Sequence, residues 1–308
     1  MPPEKLEIFK SIEPWVSENV LPFRKPVEKC WQPIEFLPDP SQGPEQFKEE
    51  VRALRQRASG LPNEYFVMLV GNMLTEDALP TYQTLFYMLD GVRDETGCSP
   101  CPWAIWSQAW SAEENSSSSS IKMIKKEGEL ASYSRRVDML MVDKILQYLI
   151  GAGMASYKRW RPMLARMCGT IAADEKRHEQ YAYTRIIEKL LEVDPNATLL
   201  AIADMVKKKI IMPMHLMYDG QDPNIFENFS TIIEWQGVYT SRHYAEILEF
   251  LITRWELEKL EGLIDEARRA HDYVCGLPPR VRKLESKAKK IEPRQVKFSW
   301  IFNKQVTA

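Results

Sequence analysis

The sequence predicts an all-α protein that folds as a helical bundle. Its 308 residues are 44% hydrophobic and 27% charged, a composition typical of globular domains. After a proline-rich opening, apolar residues recur at helical spacing, and no stretch alternates apolar and polar residues between turn signals as half-buried strands do. Several of the predicted helices are long enough to pack around a shared core.

The helices are expected to follow an irregular N-terminal arm, residues 1–42, and to lie in one domain spanning residues 1–308. Glycine- and proline-containing turns, such as Gly60-Leu61-Pro62 and Gly276-Leu277-Pro278, separate them. Residues 276–308 are expected to form a C-terminal extension. The predicted helices are Glu45–Ala58, Glu64–Val92, Trp103–Asn115, Arg135–Ile150, Tyr157–Val193, Thr198–Met217, Phe226–Arg254 and Glu256–Cys275.

One segment interrupts this pattern. Ser116–Ser120 is a run of five serines, and a polar stretch follows it. Serine side chains compete for backbone hydrogen bonds and disfavour helix interiors. The sequence therefore predicts that the third helix ends near Ser116 and that residues 116–134 form a flexible loop.

Charge and hydropathy exclude several classes of protein. Lys and Arg number 41 against 43 Asp and Glu, so no overall basic field favours nucleic acid as a partner. No apolar run approaches the roughly 20 residues of a membrane span. The N-terminus carries Glu4, Glu7 and Glu13, so no transit peptide is visible. Five scattered cysteines favour a reducing compartment.

The chemical signal is a set of carboxylates and one histidine on predicted helices. Glu175 and His178 are three residues apart, so both side chains can reach one metal ion from one helix face. Glu76 lies in an apolar helix, and Glu114 ends an aromatic-rich one. Each of these residues has an ordinary alternative. Glu175 and His178 could be an incidental polar pair on a solvated helix face, and Glu76 and Glu114 could be surface or helix-end glutamates.

Blocks along nearly the whole chain resemble one family, the soluble acyl-acyl carrier protein desaturases of plant plastids. The blocks are PVEKCWQPIEFLPDP (Pro26–Pro40), TEDALPTYQT (Thr75–Thr84), LDGVRDETG (Leu89–Gly97), WAIWSQAWSAEEN (Trp103–Asn115), CGTIAADEKRHE (Cys168–Glu179), MPMHLMYDG (Met212–Gly220) and FSWIFNKQV (Phe298–Val306). The resemblance implies a ferritin-like bundle, a homodimer in the plastid stroma, and a di-iron site with two ferrous ions per subunit. It also implies acyl carrier protein and ferredoxin as partners, and a cis double bond as the product.

Carried over by position, Glu76, Glu114, Glu175 and His178 match the family's iron ligands. Trp31 and Asp174 match a supporting pair associated with electron transfer into the site. In such a site the acyl chain lies in a dry channel, which Phe86, Met88 and Leu89 are candidates to line, although each is as well explained as ordinary core.

Two departures from the family pattern leave alternatives open. Ser117 stands where the resemblance implies a second iron-binding histidine, and no helix with a fourth carboxylate is found before Cys168, so one ligand-bearing core helix is predicted to be missing. Despite these departures, the resemblance over the whole chain implies an acyl-acyl carrier protein desaturase. The alternatives are an impaired member that binds acyl carrier protein or pairs with an intact subunit, and a chain that does not fold stably.

Two basic clusters are candidates for docking an acidic carrier protein. One is Lys207–Lys209, and the other spans Arg280–Lys283 with Lys287, Lys289 and Lys290. Solvated surface charge is the ordinary explanation of such clusters.

Overall fold

The computed structural model describes most of the chain outside its middle. The residues described are 2–31, 35, 38–58, 62–76, 88, 90–91, 93–125, 169–170, 173–179, 183–208, 220–287, 293–301 and 304–307. The predicted helix Arg135–Ile150 and the later part of the predicted loop, 126–134, lie outside them.

The described part of the chain is mainly helical, which confirms the predicted fold class. Its helices, in chain order, are α1 Pro3–Ser11, α2 Glu13–Asn19, α3 Pro44–Ala58, α4 Asn63–Glu76, α5 Pro102–Lys125, α6 Thr184–Val193, α7 Pro195–Lys207, α8 Ile225–Trp235, α9 Ser241–Arg254, α10 Asp265–Cys275 and α11 Leu277–Glu285. Residues 173–178 are also helical. No helix among the described residues combines the length and the apolar character that crossing a membrane requires.

The prediction of an irregular N-terminal arm is wrong for its first half. Residues 3–19 form α1 and α2, and single 3-10 turns follow at Leu21–Phe23, Val27–Lys29 and Pro40–Gln42. The prolines do not oppose these helices, because Pro3 and Pro14 lie in first turns, where a backbone N–H has no partner to lose.

The predicted end of the third helix at Ser116 is also wrong, because α5 continues through the serine run to Lys125. A serine in a helix interior costs only a few tenths of a kcal/mol relative to alanine, and extending an established helix adds a hydrogen bond per residue. Propensity alone therefore does not end a helix that packing has already formed.

Two predicted helices are shorter or divided. Phe226–Arg254 is interrupted after Trp235, where Gly237 adopts a positive φ of 69° and Thr240 caps α9 with a capping box to His243. Glu256–Cys275 begins its α-helix only at Asp265, after a turn at Gly262 with φ 70°. Gly237 adopts the left-handed conformation that ends α8, and Gly262 adopts the same conformation in the turn that precedes α10.

The C-terminal extension contains α11 and a short antiparallel hairpin. Strands β1 Gln295–Lys297 and β2 Gln305–Thr307 pair with Val296 opposite Val306. The sequence analysis did not anticipate these strands, which have three residues each and are too short to show a period.

The chain forms two compact units, each assembled from several stretches. The first comprises residues 1–23, 177–211 and 239–292, and the second comprises residues 24–176, 212–238 and 293–308. In the first, α7 packs on α10 and α9 packs on α11 around a core that includes Leu199, Leu257 and Ala267. In the second, α4 packs against α5, α8 and strand β2. The single domain expected for residues 1–308 stays a prediction.

Candidate functional site

Helix α5 presents a buried stripe that leads to position 114. Trp103, Trp106 and Trp110 are 7–8% exposed, and Ser107 and Ser111 are buried beside them. Positions 107, 111 and 114 share one face, since they are four and three residues apart. Position 114 therefore lies on the same face of α5 as positions 107 and 111, and the inward carboxylate stays a prediction.

The loop before α5 is held to the helix by Asp94. This carboxylate is 4% exposed and accepts hydrogen bonds from the N–H and hydroxyl of Thr96, the N–H of Ser99 and Nε2 of Gln108. Burial opposes its ionisation, but these donors outweigh burial and hold the pKa of Asp94 below its ordinary value. The interaction fixes the start of α5 relative to the chain that precedes it.

The helical segment 173–178 carries three buried ionisable side chains. Asp174 is 5% exposed, Glu175 is 6% exposed and His178 is 1% exposed. Glu175 and His178 are three residues apart in this segment, so they lie on one face. The solvated-face alternative is thereby excluded for this pair, because both side chains are buried.

Trp31 and Asp174 are in direct contact. The indole Nε1–H donates to Oδ2 of Asp174 at 2.9 Å, and the indole is 8% exposed. The ammonium of Lys25 lies 3.0 Å from both carboxylate oxygens of Asp174. The sequence paired Trp31 with Asp174 by resemblance; the contact is present, and its part in electron transfer stays a prediction.

Sequence reasoning missed Lys25 and Glu113. The backbone N–H of Lys25 donates to Oε1 of Glu113 at 3.0 Å, and Glu113 is only 5% exposed. The acidic pair Glu113-Glu114 was a signal for Glu113, but nothing in the sequence singled out Lys25. These contacts join residues 24–31, α5 and the segment from Asp174.

The other predicted ligands are placed only by their helices. Glu76 is the last residue of α4, Glu114 lies in α5, and these two helices pack together. Among the side chains that the structure describes, no three His, Cys, Asp or Glu groups gather closely enough to hold a metal ion. The four-ligand set stays a prediction. Of the proposed channel residues, Met88 is 59% exposed, which argues against its lining a dry channel, and Phe86 and Leu89 lie outside the described residues.

Comparison with known proteins decides the family. The profile described as fatty acid desaturase matches residues 4–162 and 157–302. The chain belongs to this fatty acid desaturase family. It is similar to the stearoyl-[acyl-carrier-protein] 9-desaturase, chloroplastic, of Ricinus communis, with 51% identity over 99% of this chain and 83% of the relative. It is likewise similar to stearoyl-[acyl-carrier-protein] 9-desaturase 5, chloroplastic, of Arabidopsis thaliana, with 50% identity over 100% and 84%.

The same comparisons bear on the missing segment of this desaturase-family chain. The two alignments run over 343 and 346 positions although the chain has 308 residues, so at least 35 positions of each relative face no residue here. The two matched stretches of the family profile meet at residues 157–162. These residues precede Cys168, in the interval where a ligand-bearing helix is predicted to be missing, and that absence stays a prediction.

The donor set tests whether two iron ions fit the desaturase-family chain. Ferritin-like di-iron proteins supply one Glu from each of two helices and a Glu-x-x-His pair from each of two others. Here α4 supplies Glu76 and the 173–178 segment supplies Glu175 and His178. Helix α5 supplies Glu114 with Ser117 in place of histidine, and a hydroxyl is a poor ligand for ferrous iron.

The charge of the matched carboxylates is also too small to balance two ferrous ions. Four carboxylates neutralise two ferrous ions, whereas Glu76, Glu114 and Glu175 leave one positive charge uncompensated in a low-dielectric bundle. The four residues matched by resemblance therefore fit one half of a di-iron site and do not by themselves fit the whole.

Proposed function

We propose that this chain is an acyl-[acyl carrier protein] desaturase, an oxidoreductase of fatty acid biosynthesis that introduces a cis double bond into a saturated acyl chain carried on acyl carrier protein. The observation that supports this best is about 50% identity over nearly the whole chain to proteins named for that reaction. The buried Glu175 and His178 agree with it, because buried ionisable groups on a helix face favour a site over a solvated surface.

The same likeness supports the remaining assignments. The relatives are named chloroplastic, which favours the plastid stroma as the location. Reduced ferredoxin as the electron donor and a homodimer as the assembly are proposed from the family resemblance alone. The resemblance also implies two ferrous ions per subunit, of which the matched donors fit one half of the site.

The residues of this chain have definable roles in such a site. Glu175 and His178 are the metal-binding pair on the 173–178 segment. The indole of Trp31 and the ammonium of Lys25 hold the carboxylate of Asp174 in one orientation. Iron bound there would supply the activation of O2.

An acidic carrier protein needs a basic surface, and the first unit contains one. Lys207 Nζ lies 4.9 Å from the ring centroid of Tyr273, and Arg280 Cζ lies 5.6 Å from the same centroid. Both distances suit cation–π contact. One residue from each of the two basic clusters therefore contacts the same aromatic ring. We call the surface formed by Lys207, Tyr273 and Arg280 the Tyr273 surface. We assign carrier docking to it.

The proposed function is tested by desaturation and binding measured together. Purified protein is loaded anaerobically with ferrous ion, then given stearoyl-acyl carrier protein, reduced ferredoxin and O2, and the released fatty acids are separated by gas chromatography. Binding of the same carrier is measured without iron or reductant.

A new monounsaturated product that needs all components confirms the proposal. Carrier binding without product would instead identify the binding-only alternative, or a member that needs an intact subunit. A well-folded chain that shows neither binding nor product would overturn the proposal.

A further inference from the structure

Lys25 joins two buried carboxylates that lie far apart in the sequence. Its backbone N–H donates to Oε1 of Glu113 at 3.0 Å, and its ammonium lies 3.0 Å from Oδ1 and Oδ2 of Asp174. The side chains are 19% exposed for Lys25 and 7% exposed for Asp174. One residue of the N-terminal arm therefore contacts α5 and the 173–178 segment at the same time.

The two carboxylates occupy equivalent places relative to the candidate site. Glu113 directly precedes Glu114 in α5, and Asp174 directly precedes Glu175. Adjacent residues of a helix share a rigid backbone. Fixing Glu113 and Asp174 therefore fixes the two turns on which Glu114 and Glu175 lie.

We propose that Lys25 is a positioning residue of the candidate site: it sets the placement of α5 against the 173–178 segment and seats Trp31 on Asp174. The contacts that carry this role are made within the chain and need no bound ligand. The inference goes beyond the proposed function, and its test uses neither substrate nor product.

Charge explains why a cation is required at this position. Two buried carboxylates with no cation beside them would repel each other and lack compensation for desolvation. The ammonium of Lys25 neutralises the carboxylate of Asp174. The indole of Trp31 is a second donor to Oδ2 of the same carboxylate. Removing the ammonium takes away two charge-assisted hydrogen bonds from the Asp174 carboxylate, and we infer that the indole is then held less firmly.

Burial distinguishes this interaction from ordinary surface pairs. Exposed ion pairs contribute little to stability, and Lys48 with Glu45 is an example in which both side chains are more than 60% exposed. Lys29 lies in the same arm, four residues after Lys25, and is exposed. It is therefore a matched control for the loss of a lysine from this segment.

The experiment measures hydrogen exchange of the Trp31 indole N–H by NMR in the full-length chain, with the resonance assigned by its absence from Trp31→Phe. Lys25→Met removes the ammonium and keeps the backbone N–H. We expect indole exchange to become at least roughly tenfold faster, as loss of a charge-assisted hydrogen bond allows. Lys25→Arg, which retains the charge and the donors, should restore slow exchange, and Lys29→Met should leave it unchanged.

Either of two results overturns the proposal. The first is unchanged indole exchange in Lys25→Met, even if its thermal stability falls, because Lys25 would then contribute stability without positioning Trp31. The second is that Lys25→Arg exchanges as fast as Lys25→Met although it is fully folded.

A second variant covers the case in which Lys25→Met does not fold. The double variant Lys25→Met/Asp174→Asn also removes the buried negative charge, and it is compared with Asp174→Asn alone. Equal indole exchange in the two supports the proposal, because the ammonium acts through the charge of Asp174. Exchange that is roughly tenfold faster in the double variant overturns it, because Lys25 would then act independently of that carboxylate.

Discussion

Gly71 of α4 lies directly against the ring of Phe229 of α8. A methyl group placed on Gly71 would overlap Cε2 of that ring and lie 2.6 Å from Cζ. Phe229 is fully buried, so its ring has little room to move away. We expect Gly71→Ala to lower the free energy of unfolding by about 1–3 kcal/mol through overpacking, measured by chemical denaturation.

The same substitution at Gly169 is the control. A methyl group there meets no atom within 4 Å, and residues 169–170 are helical. Gly169→Ala should therefore stabilise the chain by about 0.5–1 kcal/mol. Phe229→Leu should recover part of the loss when combined with Gly71→Ala. Equal effects at the two glycines would contradict the close packing of α4 on α8.

Ser117→His is expected to strengthen metal binding. Because α5 continues to Lys125, position 117 lies on the same helix face as Glu114, three residues along. An imidazole there supplies the nitrogen ligand that the site lacks. We expect at least roughly tenfold higher affinity for Co2+ in a spectrophotometric titration, a change within the range reported for residues that support metal sites.

Ser116→His provides the matched control for that titration. Position 116 is two residues after Glu114, about 200° around α5, so it lies on the opposite side of the helix from Glu114. Equal gains for the two variants would show that the new histidine acts as an isolated surface ligand.

The charge of Asp194 is expected to stabilise the first unit in a pH-dependent manner. Its carboxylate accepts the N–H of Ala197 at the start of α7 and pairs with Lys5 of α1. Burial opposes ionisation, but the Lys5 ammonium and the Ala197 N–H outweigh it and hold the pKa of Asp194 below its ordinary value. A lowered folded pKa stabilises the fold above the unfolded pKa, and this contribution is lost as the pH falls through the folded pKa.

Asp194→Asn isolates that charge because the amide oxygen can still cap α7. The unaltered chain should have a higher Tm than this variant near pH 6, where Asp194 is ionised. The difference in Tm should shrink below about pH 4. Asp194→Ala also removes the cap and should cost about 1 kcal/mol more at every pH. A Tm difference that stays constant from pH 7 to pH 2 would refute the assignment.

If the Tyr273 surface docks the carrier protein, replacing its basic residues should weaken binding. Lys207→Glu with Arg280→Glu should weaken the affinity for acyl carrier protein at low salt, and the loss should diminish as salt screens the attraction. Lys48→Glu with Arg52→Glu changes the net charge equally on exposed residues of α3. Isothermal titration calorimetry that gives the same dissociation constant for both double variants would exclude the Tyr273 surface as the dock.

Much of the helical pattern could be predicted because apolar periodicity reflects burial directly. Pro44–Ala58 and Asn63–Glu76 begin within one residue of their predicted starts. Helix ends were harder to predict. Ser116 did not end α5, since propensities of tenths of a kcal/mol are outweighed by packing, whereas Gly237 divided a long apolar pattern through a backbone conformation that periodicity does not encode.

The site was predictable only in part. The spacing of Glu175 and His178 is local and can be seen in the sequence, but the contacts of Lys25 join residues 88 and 149 positions away. Such long-range hydrogen bonds leave no periodic signal along the chain. Trp31 and Asp174 could be paired only by resemblance, because their separation of 143 residues is equally uninformative.

The way in which each unit is assembled bears on how the chain folds during synthesis. The first unit combines residues 1–23 with residues 239–292, so α1 and α2 leave the ribosome long before the helices that complete their unit. Contacts of such high sequence separation slow folding, because a long loop must close before they form. We therefore expect the nascent N-terminal helices to remain open to chaperones at least until Arg185 and Asp194, their partners in α6 and at the start of α7, have been made.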